Sequence, residues 1–388
     1  MNKESRKIPG LTDRAWLEVS LDAIDENYRR IRAYAQDARI MAVVKANAYG
    51  LGAVYLARHL EGLGVDSFAV ACMEEAMELR RGGVTGDILT LGPILPHQLA
   101  QAAAENIATT IVSTDHARAL SDAAAAQGVT LRGHIKLDAG LGRFGLVLEG
   151  RVEEAAAEAL AIAALPGLRI EGVFTHYTAA DLPVGDAFNR HQIALFDRTT
   201  QLLRAAGMSF LKHSASSYFT SVYPECHNDC VRVAALLLGL DAPPPHGVAC
   251  VPSAQLRARI YQIKTLEMGR PVGYGPTVYT LRPTRIAVVP IGYADGLRRS
   301  IQNRASLIVN GQFAPIIGKI SMDYLTLDVT DIPAEEGDIV TVFGRDGDAV
   351  QEMWQMADIY GATVGEVSSV LSPRIPRCYT RNGEIVQL

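Results

Sequence analysis

Lys45 stands near the end of the apolar run IMAVVKANA (40–48), an odd place for a charge. Ammonium groups avoid buried strand positions unless they are paired or used. An amine shielded from water has a lowered proton affinity and becomes a nucleophile toward an aldehyde. The same residue could also snorkel from a strand end to solvent. Arg232, in CVRVAALLLG (230–239), is a second isolated cation in an apolar run and needs a partner. His176 follows IEGVF; a histidine there is a satisfied core group or a working one. Tyr49 and Tyr293 read from residue type alone as core aromatics with polar tips. Cys226, His227 and Cys230 lie close together, but no second ligand cluster has zinc spacing, so no metal is expected. The five cysteines are scattered and expected to be reduced thiols.

Positioning these groups requires a scaffold. Eight short apolar runs, at 40–48, 67–72, 87–92, 108–113, 131–138, 170–177, 209–216 and 230–239, alternate with Ala-, Leu- and Glu/Arg-rich helical stretches. That pattern predicts an α/β chain with a TIM-like (β/α)8 barrel over 22–241. In such barrels the strand C-termini and the loops after them build the active site. DAPPPHGV (241–248) reads as a linker, because consecutive prolines continue neither helix nor central strand. From 248 to 388, short strands with turns such as Asn310-Gly311 predict a C-terminal β-rich domain. The segment 1–21 contains the strand-like AWLEVSL, available to pair with that domain.

The chain has 388 residues, 48% hydrophobic and 20% charged, with net charge −5. That balance gives no electrostatic reason for a nucleic-acid or anionic-membrane partner. The start is polar and no apolar run spans a bilayer, so the expected compartment is the cytoplasm.

The segment AVVKANAYGLG resembles the cofactor-lysine motif of the alanine racemase family, the fold-type III pyridoxal 5′-phosphate enzymes. KLDAGLGRFG (136–145), FTHYTAAD (174–181), CVRV (230–233), VGYG (272–275), IGYADG (291–296), SMD (321–323) and SPRIPR (372–377) resemble its other motifs, in the family's order and over nearly the whole chain. The resemblance implies a homodimer that inverts the α-carbon of a small amino acid, alanine first. Lys45 is implied to carry the cofactor as a Schiff base and to exchange the α-proton on one face. Tyr293 is implied as the second acid/base group, delivered from the partner subunit. A phenol is a weak base at neutral pH and needs tuning by neighbours such as His176. Tyr49, Ser214 and the backbone N–H groups of Ala234 and Ala235 are implied to hold the phosphate. His176 lies against the cofactor ring and Arg232 faces its pyridine nitrogen. Guanidinium only donates hydrogen bonds, so Arg232 keeps that nitrogen unprotonated, weakens the electron sink and favours proton return over transamination. Lys136 is implied to carry a carbamate that holds Arg143. Met322 is implied to offer its backbone to the substrate carboxylate, and Tyr274 and Asp181 to line the substrate channel.

The chain departs from the family pattern in places. His213 stands before Ser214 where Asn is usual, and Ser321 stands where Cys is usual before Met322. Ala234 and Ala235 replace Gly-Ile, and Lys319 replaces a channel arginine. Gly365 falls where the family has a pocket tyrosine, with Tyr360 a turn away. This last change raises a racemase of serine or a larger amino acid as the alternative. A non-catalytic cofactor carrier would lack the second domain, and a decarboxylase would place a cysteine and acids there.

Overall fold

The computed structural model describes residues 14–178, 185–275 and 277–387. Asp181 lies outside them. The chain forms two compact units: Tyr28–Leu237 with Pro243–Ala249, and Met1–Asn27 with Leu238–Ala242 and Cys250–Leu388.

The larger unit is a closed parallel barrel. Its strands run Arg39–Val43, Ser67–Val70, Asp87–Thr90, Ile107–Ile111, Leu131–Asp138, Leu168–Phe174, Leu211–His213 and Cys230–Val233. Each pairs in parallel with the next, and Cys230–Val233 returns to Arg39–Val43, with Arg232 opposite Met41. Met41, Val43, Ala69, Leu89, Ala108, Cys230 and Ala234 form one buried cluster, against which Tyr49 packs. Each of the eight sequence runs overlaps one barrel strand, and most of the strands are shorter than their runs. The first ends at Val43 and the last at Val233, because Lys45–Tyr49 and the segment after Val233 leave the ladder to form turns at the barrel mouth.

The smaller unit is β-rich. Ala15–Ser20 pairs antiparallel with Ala254–Arg259 and parallel with Arg377–Arg381, at the centre of an eight-stranded sheet. A separate three-stranded sheet joins Gln262–Leu266, Thr284–Val289 and Leu325–Asp328. No described helix is long and apolar enough to cross a membrane.

Candidate active site

The strand C-termini of the barrel gather four of the expected groups. Lys45 follows Val44 at the end of the first strand, and Lys136 is the sixth residue of Leu131–Asp138. His176 follows Leu168–Phe174, and Arg232 lies within Cys230–Val233. Their mutual fields show that they share one neighbourhood. The His176 imidazole is held well below its usual range by burial first, then by Arg232, Lys136, Arg143 and Lys45.

Lys45 opens a left-handed turn. Ala46, Asn47 and Ala48 have φ, ψ near 51, 48; 56, 48; and 51, 52, and Tyr49 has φ 54. Left-handed helical backbone costs roughly 1–2 kcal/mol per L-residue, so the turn must be held from outside. The Asn47 side-chain oxygen accepts from the Ala53 N–H at 2.8 Å, and Glu75 accepts from the Ala46 N–H at 2.7 Å. Burial lowers the proton affinity of the Lys45 amine; Arg143 acts in the same direction and Glu75 opposes it. At neutral pH the neutral, nucleophilic form is correspondingly more populated.

Arg232 is buried, and among the described residues no carboxylate pairs with it. Its Nη1 donates to His213 Nδ1 at 3.1 Å, and its Nη2 donates to the Thr175 carbonyl at 2.8 Å and the Ser214 carbonyl at 3.3 Å. His176 Nδ1 lies 3.5 Å from Nη2. Burial brings the guanidinium down to about 10, so it stays a cation at neutral pH. Behind it, His213 Nε2 meets His134 Nδ1 at 2.9 Å.

Lys136 Nζ is buried, makes no hydrogen bond among the described residues and stands 4.7 Å from the Phe174 ring centre. Burial, then Arg232 and Arg143, push this amine well down; Asp138 opposes them weakly. Asp138 is committed elsewhere. Its carboxylate accepts from the N–H groups of Gly140, Leu141 and Gly142 at 2.8–3.1 Å and shapes the loop that carries Arg143. Gly145 brings that loop back over the strand: a Cβ on it would stand 2.6 Å from the Lys136 carbonyl oxygen.

The serine expected at the phosphate, Ser214, has protein partners of its own. Ser214 is fully buried; its hydroxyl donates to the Cys226 carbonyl and accepts from Asn228 Nδ2 at 2.9 Å. Ser217, three residues on, is a second hydroxyl, beside the end of the last strand. Its Oγ accepts from the Ala234 N–H at 2.9 Å and the Leu236 N–H at 3.3 Å, on either side of Ala235. Sequence reading missed Ser217, His213 and His134. The HSASS stretch offers serines at two registers, and nothing local chooses between them.

In the smaller unit, Tyr293 opens a short turn anchored by buried Asp295. That carboxylate takes both guanidinium nitrogens of Arg14, at 2.8 and 2.7 Å, and the Gly292 N–H at 3.0 Å. The Tyr293 N–H donates to the Ser321 carbonyl and the Ala294 N–H to the Met322 carbonyl. Gly292 permits this approach, since a Cβ there would stand 2.4 Å from both carbonyl oxygens. Tyr274 sits between Gly273 and Gly275, both at positive φ, on a turn backed by Lys319. Tyr274 is 71% exposed and Tyr293 43%. Gly365 lies, half-buried, in the helix Val364–Ser369.

A closed parallel barrel with a shielded lysine, a buried arginine and hydroxyl and N–H donors at its strand C-termini defines a (β/α)8-barrel enzyme. Residues 19–242 match the alanine racemase N-terminal domain and 253–379 the alanine racemase C-terminal domain. The chain belongs to the alanine racemase family. It is 38% identical to the alanine racemase of Desulfosudis oleivorans, over 94% of this chain and 96% of that one. The crystal structure of the Bacillus anthracis alanine racemase with bound L-Ala-P superposes with a TM-score of 0.89 at 32% identity, covering 97% of each chain. The histidine racemase of Leuconostoc mesenteroides has the same fold, with a TM-score of 0.85 at 28% identity over 95% of this chain and 99% of that one.

Proposed function

We propose that this protein interconverts L- and D-alanine with pyridoxal 5′-phosphate, as a cytoplasmic homodimer. The observation that carries the reading is the cluster of Lys45, Lys136 and Arg232, basic groups buried or half-buried with no paired acid among the described residues apart from the distant influence of Glu75 and Asp138. A buried excess of positive charge fits an anionic ligand. Lys45 supplies the amine for covalent attachment. Tyr49, the Ser214 or Ser217 hydroxyl and the backbone N–H at Ala235 supply neutral donors for a phosphate, with the Ala234 N–H shared with Ser217 Oγ, and Arg232 supplies a donor-only contact for a ring nitrogen.

When bound, the cofactor supplies an electron sink that acidifies the substrate α-carbon. The protein does the rest. Lys45 takes or returns the α-proton on one face. Arg143 and the Met322 backbone orient the substrate carboxylate. A tyrosine serves the opposite face from the partner subunit; Tyr293 is the expected residue. Tyr274 is a second reading, favoured because a phenol that works on a neighbouring chain must protrude, and Tyr274 protrudes further on a turn stiffened by its backing. Arg232 keeps the ring nitrogen unprotonated, so the α-carbon regains its proton promptly. His176 belongs to the polar surround of Arg232. Neutral Lys136 adds its amine to CO2 with release of a proton, and the resulting carbamate lies among cations that stabilise it.

Replacing Lys45 by Ala removes the reactive amine. Racemisation and the visible absorbance of cofactor-loaded protein are expected to vanish together; a borohydride-reducible adduct on another lysine would overturn the assignment. A racemase of serine or a larger amino acid is the second substrate reading. It is favoured by the missing side chain at Gly365 and by the histidine racemase of the same fold. Chiral chromatography after incubation with each L-amino acid separates the two.

A further inference from the structure

The carboxylate of Glu75, on the helix Met73–Arg81, makes two short contacts with backbone. Oε1 accepts from the Ala46 N–H and Oε2 from the Ala71 N–H, each at 2.7 Å. Ala46 follows the first barrel strand and Ala71 the second, so one side chain ties two neighbouring strand ends together at the mouth. The Ala46 N–H belongs to the peptide unit that leaves Lys45. Fixing that unit fixes the backbone rotation at Lys45 and the start of the left-handed turn.

We propose that Glu75 is a positioning residue for Lys45: its grip on the Lys45–Ala46 peptide unit holds the strained turn in the form that turns the Lys45 amine toward Arg143 and His176. The inference rests on the reading of Lys45 as the reactive amine. Charge-assisted hydrogen bonds to backbone N–H groups are short and about twice as strong as neutral ones, which suits a carboxylate to restraining left-handed residues. Asn47 closes the far end of the same turn through the Ala53 N–H. Glu75 thus has two effects on Lys45, a mechanical one through the peptide unit and an electrostatic one that favours its charged form.

The fold contains its own control. Glu61, on the helix Ala53–Gly62, accepts from the Thr85 N–H at 2.8 Å and the Gly86 N–H at 2.7 Å, just before the strand Asp87–Thr90. This is also a double backbone grip, made by one carboxylate oxygen on one segment, at the strand N-termini, the opposite end of the barrel from Lys45. A purely structural role predicts equal behaviour for the two glutamates.

The test compares Glu75→Gln, Glu61→Gln and Lys45→Ala with the parent enzyme. In cofactor-free protein, trace acetic anhydride labelling across pH, read peptide by peptide by mass spectrometry, gives the titration midpoint of Lys45. Urea unfolding gives stability, and steady-state kinetics give kcat and KM. Both Gln variants are expected to lose similar stability. In Glu75→Gln alone, the Lys45 midpoint moves to lower pH and kcat falls about 10–100-fold with little change in KM. Adding Ala46→Gly to Glu75→Gln recovers part of kcat, because glycine takes the left-handed backbone without a Cβ penalty. Glu75→Asp keeps the charge but shortens the reach, and is expected to lose kcat while keeping the midpoint. The proposal is overturned if Lys45 labels identically in the two Gln variants and kcat follows stability alone. If Lys45→Ala retains racemisation, the underlying assignment of Lys45 falls instead, and the proposal with it.

Discussion

Arg232 Nη1 donates to His213 Nδ1 at 3.1 Å, and this contact sets the protonation of two histidines. Guanidinium has no acceptor, so His213 Nδ1 must be the bare nitrogen and its Nε2 carries the proton. That proton points at His134 Nδ1, 2.9 Å away, which must also be bare. Both rings are therefore neutral. Burial, with Arg232 and His134 adding to it, keeps His213 well below the usual range; burial, with Arg132, takes His134 down to about 3.

Acid should therefore destabilise the barrel through these rings. Their folded-state proton affinities lie below the unfolded value near 6.5, so the unfolded chain binds more protons as pH falls. Stability is fully present above about pH 6.5 and is lost below it, by roughly 1.4 kcal/mol per pH unit for each histidine, levelling for His134 only near pH 3. His176, held down by burial and Arg232, contributes in the same direction. Urea titrations of cofactor-free protein between pH 4 and 7 should show this slope, and His134→Gln should remove about one proton from it. An unchanged slope in that variant would count against a neutral buried His134.

Two serines separate phosphate contact from loop packing. Ser217→Ala removes the hydroxyl beside the Ala234 and Leu236 N–H groups. It should weaken pyridoxal 5′-phosphate binding by about 1–2 kcal/mol, near tenfold, and cost apoprotein stability of similar size, because two N–H groups lose their acceptor. Ser214→Ala removes one contact each from the Asn228 amide and the Cys226 carbonyl, which stay hydrogen-bonded to each other at 2.9 Å. It should cost about 1–3 kcal/mol of stability and leave cofactor affinity nearly intact. Equilibrium dialysis and urea midpoints read the two effects; the reverse pattern would assign the phosphate to Ser214.

Deuterium exchange at the α-carbon identifies the second acid/base group. With Tyr293→Phe and Tyr274→Phe measured side by side, the tyrosine that works opposite Lys45 should lose exchange for one enantiomer by at least 100-fold and keep it for the other. The bystander should keep both. Mixing Lys45→Ala with the Ala variant of the working tyrosine should restore part of the activity, since one site of the mixed dimer is intact. Equal loss for both enantiomers would count against two separate groups.

Gly365 tests substrate choice. Tyrosine at that position would add a ring and a hydroxyl to the helix Val364–Ser369. Close analogues in such pockets are discriminated by about 1–3 kcal/mol. Gly365→Tyr should therefore shift the ratio of kcat/KM for serine over alanine down by roughly tenfold or more. The reading of a widened pocket fails if the parent enzyme rejects serine and larger amino acids as firmly as the variant.

The sequence alone determined the barrel, the β-rich second unit and two of the working cations. Strand alternation is written in local hydrophobicity, and Lys45 and Arg232 stand out because a charge within an apolar run is costly wherever it folds. Tertiary structure decided the rest. The pairing of His134 with His213 joins residues 79 apart in sequence, and it forms because their strands flank Leu168–Phe174, where Gly172 leaves room for the His134 ring. That Ser214 meets Cys226 and Asn228 while Ser217 meets the Ala234 and Leu236 N–H groups likewise depends on the folded loop. The left-handed turn after Lys45 has no signal in KANAY, since alanines do not favour that backbone. It exists because a carboxylate on the following helix and the cap at Ala53 hold it there. Local composition sets what each segment prefers, whereas strained turns, tautomers and hydrogen-bond partners belong to groups that meet only after the chain has closed on itself.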